Sequence, residues 1–252
     1  MTFRCAQLSL GLEEPLAGTA PVAARWELVE REKPWGRDHG LVAEGAKVLL
    51  VRQVSGSEPR DQVRGHVQDE AQSGTCPRTW SRRYLVCTNG ARDPCCAIRG
   101  PAVAQALDRV QAGQVYECSH LGGHRFAANL LVLPDGLCFG RLDARAAIGL
   151  ANELEAGRLP LEHFRGRTAY EPEQQAAEIL LRRELGLTGL GELALVEVRG
   201  SEPQTVFELV DGRRFGVRLE GKRLQARRVS CRDEKVETPT QWSLSELVAL
   251  SH

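Results

Sequence analysis

The hydrophobic pattern divides the chain into three segments, of which the first covers residues 1–78. A helical stretch begins at Cys5, and two strands are predicted at Arg25–Val29 and Lys47–Gln53. The second strand carries the continuous apolar run that is typical of a buried strand. Residues 55–77 are polar and contain glycine and serine, which predicts a surface loop or linker. We therefore expect an N-terminal α/β segment.

The middle segment, residues 79–160, has the clearest alternation of strand and helix patterns. Turn residues and helix-capping residues separate its apolar runs. The predicted elements are a strand at Tyr84–Cys87, a helix opened by Pro101, a strand at Gln114–Cys118, a hairpin around Pro134–Asp135–Gly136 and a helix from Asp143 to Ala156. Strand, loop, helix, strand, hairpin and helix is the order of a thioredoxin-like α/β unit.

The third segment, residues 165–252, is predicted to be an α+β accessory module without a ligand cluster. Pro172 opens a helix that runs through Leu185 and ends at Gly186. Alternating stretches at Thr205–Val210, Arg214–Leu219 and Leu224–Val229 then predict an antiparallel meander, with a turn at Glu220–Gly221.

Composition and charge restrict the classes of function. Lys plus Arg and Asp plus Glu both number 33, so no net charge points to nucleic acid as a partner. The apolar runs are far too short to span a membrane, and the N-terminus lacks the pattern of a signal peptide. We therefore expect a cytoplasmic protein whose cysteines are mostly reduced.

The cysteines are concentrated in the middle segment, where two pairs of metal-binding residue types stand out. Of eight cysteines, five lie between residues 87 and 138. Cys87-x8-Cys96 and His120-x3-His124 both lie in loops that contain glycine, which lets the backbone approach a bulky inorganic group. Two thiols and two imidazoles suit a tetrahedral zinc ion, and they also suit a [2Fe–2S] cluster with two ligands on each iron.

Two stretches around these pairs resemble the bacterial sucrase/ferredoxin-like family, which is related to the yeast actin-patch distribution protein and to thioredoxin-like ferredoxins. The first stretch is Leu85–Ala97, and the second is Cys118–Asn129. Shorter blocks also resemble the family, at Glu14–Pro21, Pro34–Trp35–Gly36 and Gln174–Glu178.

The resemblance implies a thioredoxin-like ferredoxin domain that binds a [2Fe–2S] cluster through Cys87, Cys96, His120 and His124. The family spacing selects Cys96 as the ligand and leaves the adjacent Cys95 as a neighbour. His120 and His124 take the spacing at which thioredoxin-like ferredoxins have a second cysteine pair. The resemblance also suggests a redox partner protein, with an NAD(P)H-dependent reductase as the electron donor.

The interpretation is therefore an electron-transfer protein that moves one electron at a time, with uptake of a proton at a coordinated imidazole upon reduction. Three alternatives stay open: structural zinc on the same four residues, a thioredoxin-like thiol oxidoreductase that uses Cys95 and Cys96, and an interaction module without metal. Cys118 is expected to be buried packing. No partner can be identified for the remaining cysteines, Cys5, Cys76, Cys138 and Cys231, and His39, His66, His163 and His252 are expected at the surface.

Overall fold

A computed structural model describes residues 4–37, 42–43, 46–55, 65–68, 81–199 and 204–251 of the chain. The four α-helices among these residues are α1 (Cys5–Gly11), α2 (Pro94–Asp108), α3 (Ala144–Glu155) and α4 (Pro172–Leu185). The strands are β1 (Arg25–Glu30), β2 (Val42–Ala43), β3 (Ala46–Gln53), β4 (Gly65–Gln68), β5 (Arg83–Cys87), β6 (Val115–Cys118), β7 (Leu130–Leu133), β8 (Leu137–Phe139), β9 (Phe164–Arg167), β10 (Leu193–Arg199), β11 (Gln204–Leu209), β12 (Arg214–Arg223), β13 (Arg227–Arg228), β14 (Val236–Glu237) and β15 (Thr240–Leu250).

The strands form a large mixed sheet and a separate antiparallel sheet. The mixed sheet has the order β4-β1-β3-β6-β5-β7-β8-β9, with β2 paired to β3. The second sheet has the order β10-β11-β12-β15, and β13 pairs with β14. The chain is therefore a mixed α/β protein with a C-terminal antiparallel module, which agrees with the predicted class at that level.

The centre of the large sheet is the parallel pair β5 and β6, joined by helix α2. Cys87 and Cys118 are paired at the ends of these two strands, so both strands deliver their following loops to the same edge of the sheet. Alternate residues of β5 enter different cores: Tyr84 and Val86 pack in one, and Leu85 and Cys87 in the other. Burial on both faces explains why β5 is continuously apolar from Tyr84 to Cys87 rather than alternating.

Helix α2 begins seven residues earlier than predicted, at Pro94 rather than Pro101. The Asp93 side chain accepts a hydrogen bond of 2.9 Å from the Cys95 N–H and caps the helix. Pro94 occupies the first helical position, where no N–H is needed. Pro101 lies inside the helix, and because Ala97 is exposed, water can replace the hydrogen bond that Pro101 cannot make. The earlier start places Cys95 and Cys96 in the first turn.

Two further predictions of local structure are wrong. Residues 65–68, which the sequence assigns to a linker, form strand β4, which pairs antiparallel to β1. These four residues are mostly polar and show no strand pattern of their own, because the strand depends on pairing with a distant segment. The turn predicted at Glu220–Gly221 lies inside β12, and its antiparallel partner is β15 rather than residues 224–229. The C-terminal end of β12 is exposed on both faces, so polar and apolar residues do not alternate there and the strand pattern is lost.

The remaining predicted elements are confirmed with small shifts in their ends. The hairpin pairs β7 with β8, Asp143 caps α3, and Gly186 ends α4 in a left-handed conformation at φ 66°. Strand β9 pairs with β8, so the large sheet continues beyond residue 160. The domain limits given above stay a prediction. Within the described residues, every helix is too short or too polar to cross a lipid bilayer.

Candidate metal centre

The four predicted ligands lie at the edge of the sheet where β5 and β6 end. Cys87 is the last residue of β5, and Cys96 is in the first turn of α2. His120 and His124 lie in the loop that follows β6. Because β5 and β6 are parallel, the two loops are neighbours, so the fold brings the two predicted pairs to one place.

Cys87 and Cys96 are in direct contact and almost completely buried, at 1% exposure each. The pKa of Cys87 is held well below its usual value because the Cys96 thiol donates a hydrogen bond to it, against the effect of burial; a hydrogen bond from His120 acts in the same direction. Donating that hydrogen bond raises the pKa of Cys96 well above its usual value, and burial adds to the effect. The lowered pKa favours the thiolate form of Cys87, which is the form that binds metal.

The two histidines face one another and leave ring nitrogens without partners. Their ring centroids are 5.4 Å apart. Nδ1 of His120 and both ring nitrogens of His124 are buried without a hydrogen-bond partner among the described residues. Burial lowers the pKa of His124, and so favours its neutral form, although Asp93 opposes this. Neutral, buried and unpaired imidazole nitrogens are costly unless a metal or another group binds them.

A buried arginine supports the loop that carries both histidines. Arg165 is 1% exposed, and its guanidinium donates to the Gly122 carbonyl at 3.3 Å and to Asn129 Oδ1 at 2.9 Å. The Asn129 amide in turn donates to the Gly123 carbonyl at 3.0 Å. Gly122 and Gly123 both have positive φ, 93° and 69°, which an L-residue with a side chain rarely adopts. These contacts hold the turn between the two histidines.

A second group of metal-binding residue types lies beside the first. One ligand atom from each of Cys5, Asp93, Cys95 and Cys231 falls within 4.8 Å of all the others. The three sulfur–sulfur distances are 3.6 Å (Cys5–Cys95), 3.4 Å (Cys95–Cys231) and 3.5 Å (Cys231–Cys5). The group is therefore compact enough to hold a single metal ion.

The sequence identifies no partner for Cys5 and Cys231 and shows no ligand cluster in the third segment. The structure gives both cysteines partners: Cys231, from the third segment, lies against Cys5 and Cys95. The three cysteines come from α1, from the first turn of α2 and from the C-terminal module, and Cys5 and Cys231 are 226 positions apart. No local spacing links residues so distant, so the only signal in the sequence is the number of cysteines left without a role.

Hydrogen bonds polarise the thiols of this second group. The pKa of Cys95 is lowered to about 6, first because the Cys5 thiol donates a hydrogen bond to it, with burial opposing, and then because the Ala6 N–H also donates. The pKa of Cys5 rises for the same reason, with burial and the Asp93 charge adding to the effect. Burial raises the pKa of Asp93, but N–H groups of Cys231 and Cys95 outweigh it and lower the pKa below its usual value.

The other predicted roles have mixed outcomes. Cys118 is fully buried in the core, as expected. Cys138 is also buried, and its sulfur accepts a hydrogen bond from Arg165 at 3.5 Å. His163 is partly exposed. Cys76, His39 and His252, together with the side chain of His66, lie outside the described residues.

Comparison with known proteins identifies one family. A model of the sucrase/ferredoxin-like family matches residues 40–166, a range that contains β2 to β8, most of β9 and all four predicted cluster ligands. No curated protein and no solved structure was found to match the chain.

Proposed function

The chain belongs to the sucrase/ferredoxin-like family, and we propose that it is an electron carrier with a [2Fe–2S] cluster held by Cys87, Cys96, His120 and His124. The observation that carries the proposal is the meeting of these four side chains at one edge of the sheet, with Cys87 in contact with Cys96 and His120 and with unpartnered nitrogens on both histidines. The order β8-β7-β5-β6, with β5 parallel to β6 and followed by α2, supports a thioredoxin-like ferredoxin core.

The members of each predicted pair lie close together, and a hydrogen bond from His120 to Cys87 connects the two pairs. Cys87 and Cys96 touch each other, and the two imidazole rings face each other. The group that is compact enough for one ion is Cys5, Asp93, Cys95 and Cys231, and it contains none of the four predicted cluster ligands. Structural zinc on the predicted ligands would need the ligand atoms of all four residues around one ion. A [2Fe–2S] cluster needs two ligands on each iron, so only the two members of a pair must lie close together.

The surroundings of the four residues suit an electron-transfer site. Cys87 and Cys96 are shielded from water, whereas His120 is only half-buried. A cluster bound there would take up and release one electron at a time. The Leu121 N–H donates a hydrogen bond to the Cys87 sulfur and so offsets negative charge there. His120 then provides the more accessible end, where we propose that a redox partner protein docks, with an NAD(P)H-dependent reductase as the donor.

Metal analysis of the freshly purified full chain, combined with its visible spectrum, tests the proposal. We expect two irons and two acid-labile sulfides per chain, and a brown colour that bleaches on reduction and returns in air. A protein with no iron after anaerobic reconstitution, or one whose iron survives replacement of both Cys87 and Cys96 by serine, would refute the proposed cluster. Coupling of electron transfer to proton uptake stays a prediction from the sequence.

A further inference from the structure

We infer that Cys5, Cys95, Cys231 and Asp93 form a second metal site, separate from the proposed cluster, that binds one zinc ion. The three thiols and the carboxylate are brought together from the N-terminal helix, the start of α2 and the C-terminal module. The site goes beyond the proposed function, because none of its residues is a proposed cluster ligand and zinc carries no electron.

The distances match a single tetrahedral ion. A Zn–S bond of about 2.3 Å places two sulfurs on a tetrahedral ion about 3.8 Å apart, and a sulfur and an oxygen about 3.6 Å apart. The three sulfur–sulfur distances of 3.4–3.6 Å fall slightly inside that value. The Cys5 sulfur lies 3.8 Å and 3.7 Å from the two oxygens of Asp93.

The same distances argue against the other arrangements of three cysteines. A disulfide would bring two sulfurs to about 2.05 Å, and Cys5, Cys95 and Cys231 are all free. In an iron–sulfur cluster with one thiolate on each iron, three terminal sulfurs would lie much farther apart than the sulfurs do here. Three thiols in mutual contact are therefore arranged for one ion, and three thiolates together with one carboxylate favour zinc.

Backbone N–H groups donate to two of the three sulfurs and to Asp93, and so hold the ligands in place. The Cys5 N–H donates to the Cys231 sulfur at 3.2 Å, and the Ala6 N–H donates to Cys95. Asp93 is fully buried and is oriented by the N–H groups of Cys95 and Cys231, both at 2.9 Å. Such outer hydrogen bonds orient metal ligands and are a regular part of protein zinc sites.

An ion can reach this group from the surface. Cys231 is only half-buried, and a small cleft extends to Cys95. The cleft is lined by Arg4, Ala6, Gln7, Cys95, Ile98 and Arg99. A zinc ion at this point would fix the C-terminal module and the N-terminal helix to the start of α2, and so stabilise the helix turn that also carries Cys96.

The experiment measures zinc and iron in the same full-length samples. The reduced protein receives one equivalent of Zn²⁺, is desalted, and is analysed for both metals alongside Cys5→Ser and Cys231→Ser, with Cys138→Ser as a buried-cysteine control outside both groups. We expect about one zinc per chain in the wild type and the control, and less than a tenth of that in the two variants. Their zinc affinity should fall by more than the roughly 10- to 100-fold that loss of an outer-shell partner costs.

X-ray absorption at the zinc edge of the wild-type protein gives a second readout that does not depend on folding of the variants. We expect three sulfurs at about 2.3 Å and one oxygen at about 2.0–2.2 Å. A chain that retains no zinc, variants that retain as much as the wild type, a disulfide among the three cysteines or a spectrum with nitrogen in place of two sulfurs would overturn the inference. Since iron is counted separately, failure of the zinc site leaves the iron result for the cluster unaffected, and the reverse also holds.

Discussion

Asp93 Oδ2 lies 3.6 Å from Nε2 of His124, so a buried carboxylate joins the two groups of metal-binding residues. The same carboxylate caps α2 and bonds to the N–H of Cys231. This distance is too long for a strong hydrogen bond, so the Asp93 carboxylate acts on the His124 ring mainly through its negative charge. Asp93 therefore positions both groups and sets the electrostatic environment of His124.

Replacing Asp93 by asparagine should raise the reduction potential of the protein. A negative charge beside His124 disfavours the addition of an electron, and at an effective dielectric constant of about 20 a charge some 8 Å away contributes about 2 kcal/mol. We expect an upward shift on the order of 50–100 mV in Asp93→Asn, measured by a spectroscopic redox titration. Asparagine can still cap a helix.

Asp143→Asn is the matched control for that titration, because Asp143 caps α3 in the same way but is exposed. Its potential should equal that of the wild type. A potential that stays constant in Asp93→Asn, or moves downward, would show that the carboxylate does not act on the redox group.

Two adjacent cysteines should respond in opposite ways to the same substitution. Cys96 contacts Cys87, whereas Cys95 contacts Cys5 and Cys231. We expect Cys96→Ser to abolish iron binding, and Cys95→Ser to leave the iron content unchanged while zinc is lost. Iron, sulfide and zinc analysis of the two purified variants distinguishes the two roles, and loss of iron from Cys95→Ser alone would reverse the ligand assignment.

The turn between the two histidines should not tolerate a side chain. Gly123 has φ 69°, and a Cβ built there would collide with the guanidinium of Arg165. We expect Gly123→Ala to lower the free energy of unfolding by at least about 2 kcal/mol and to reduce the iron content. Chemical denaturation followed by circular dichroism measures the first effect, and metal analysis measures the second.

Gly149→Ala provides the comparison for that variant. Gly149 is exposed in α3, and a Cβ there would meet nothing within 4 Å. Alanine at this position should stabilise the protein by about 0.5–1 kcal/mol. Equal effects of the two substitutions would mean that the turn at Gly123 is not constrained as the structure describes.

Acid should weaken the contact between α4 and the large sheet. Burial raises the pKa of Glu178, but Arg167 and Arg182 outweigh it and hold the pKa below its usual value; their Nε atoms lie 3.1 Å and 3.0 Å from Oε1. A lowered pKa in the folded state means that the stabilisation is complete above the unfolded pKa of about 4.3 and is lost as the pH falls through the folded pKa.

Glu178→Gln should therefore cost roughly 3 kcal/mol of unfolding free energy at pH 7, and this difference from the wild type should shrink as the pH falls below about 4. Urea denaturation at a series of pH values measures it. Glu184→Gln, on the exposed side of the same helix, should show almost no difference at any pH. A cost for Glu178→Gln that did not depend on pH would mean that the carboxylate charge is unimportant there.

Local patterns in the sequence predict what depends on neighbouring residues. The strand ending at Cys87 and the loop with His120 and His124 follow from short spacings, because parallel strands with glycine-containing loops bring such pairs together. The sequence misplaces the start of α2 because Pro94 and Pro101 both suit the first turn of a helix. Only the side chain of Asp93, which caps the helix and also accepts a hydrogen bond from the Cys231 N–H, favours the start at Pro94.

What the sequence could not supply are the contacts between distant segments. Cys5 and Cys231 meet only because α1 and the C-terminal module pack against the start of α2, and strand β4 exists only through its pairing with β1. Pairing over 226 positions leaves no periodicity or fixed spacing to detect. The second site could therefore be found only from the structure.

In the proposed cluster, two imidazole nitrogens bind one iron. Pulsed electron paramagnetic resonance of the reduced protein labelled with ¹⁵N-histidine tests this ligation. The proposal predicts two strong ¹⁵N couplings, with only one left in His120→Cys and in His124→Cys. A reduced cluster without strongly coupled nitrogen, or with couplings that survive both substitutions, would contradict it.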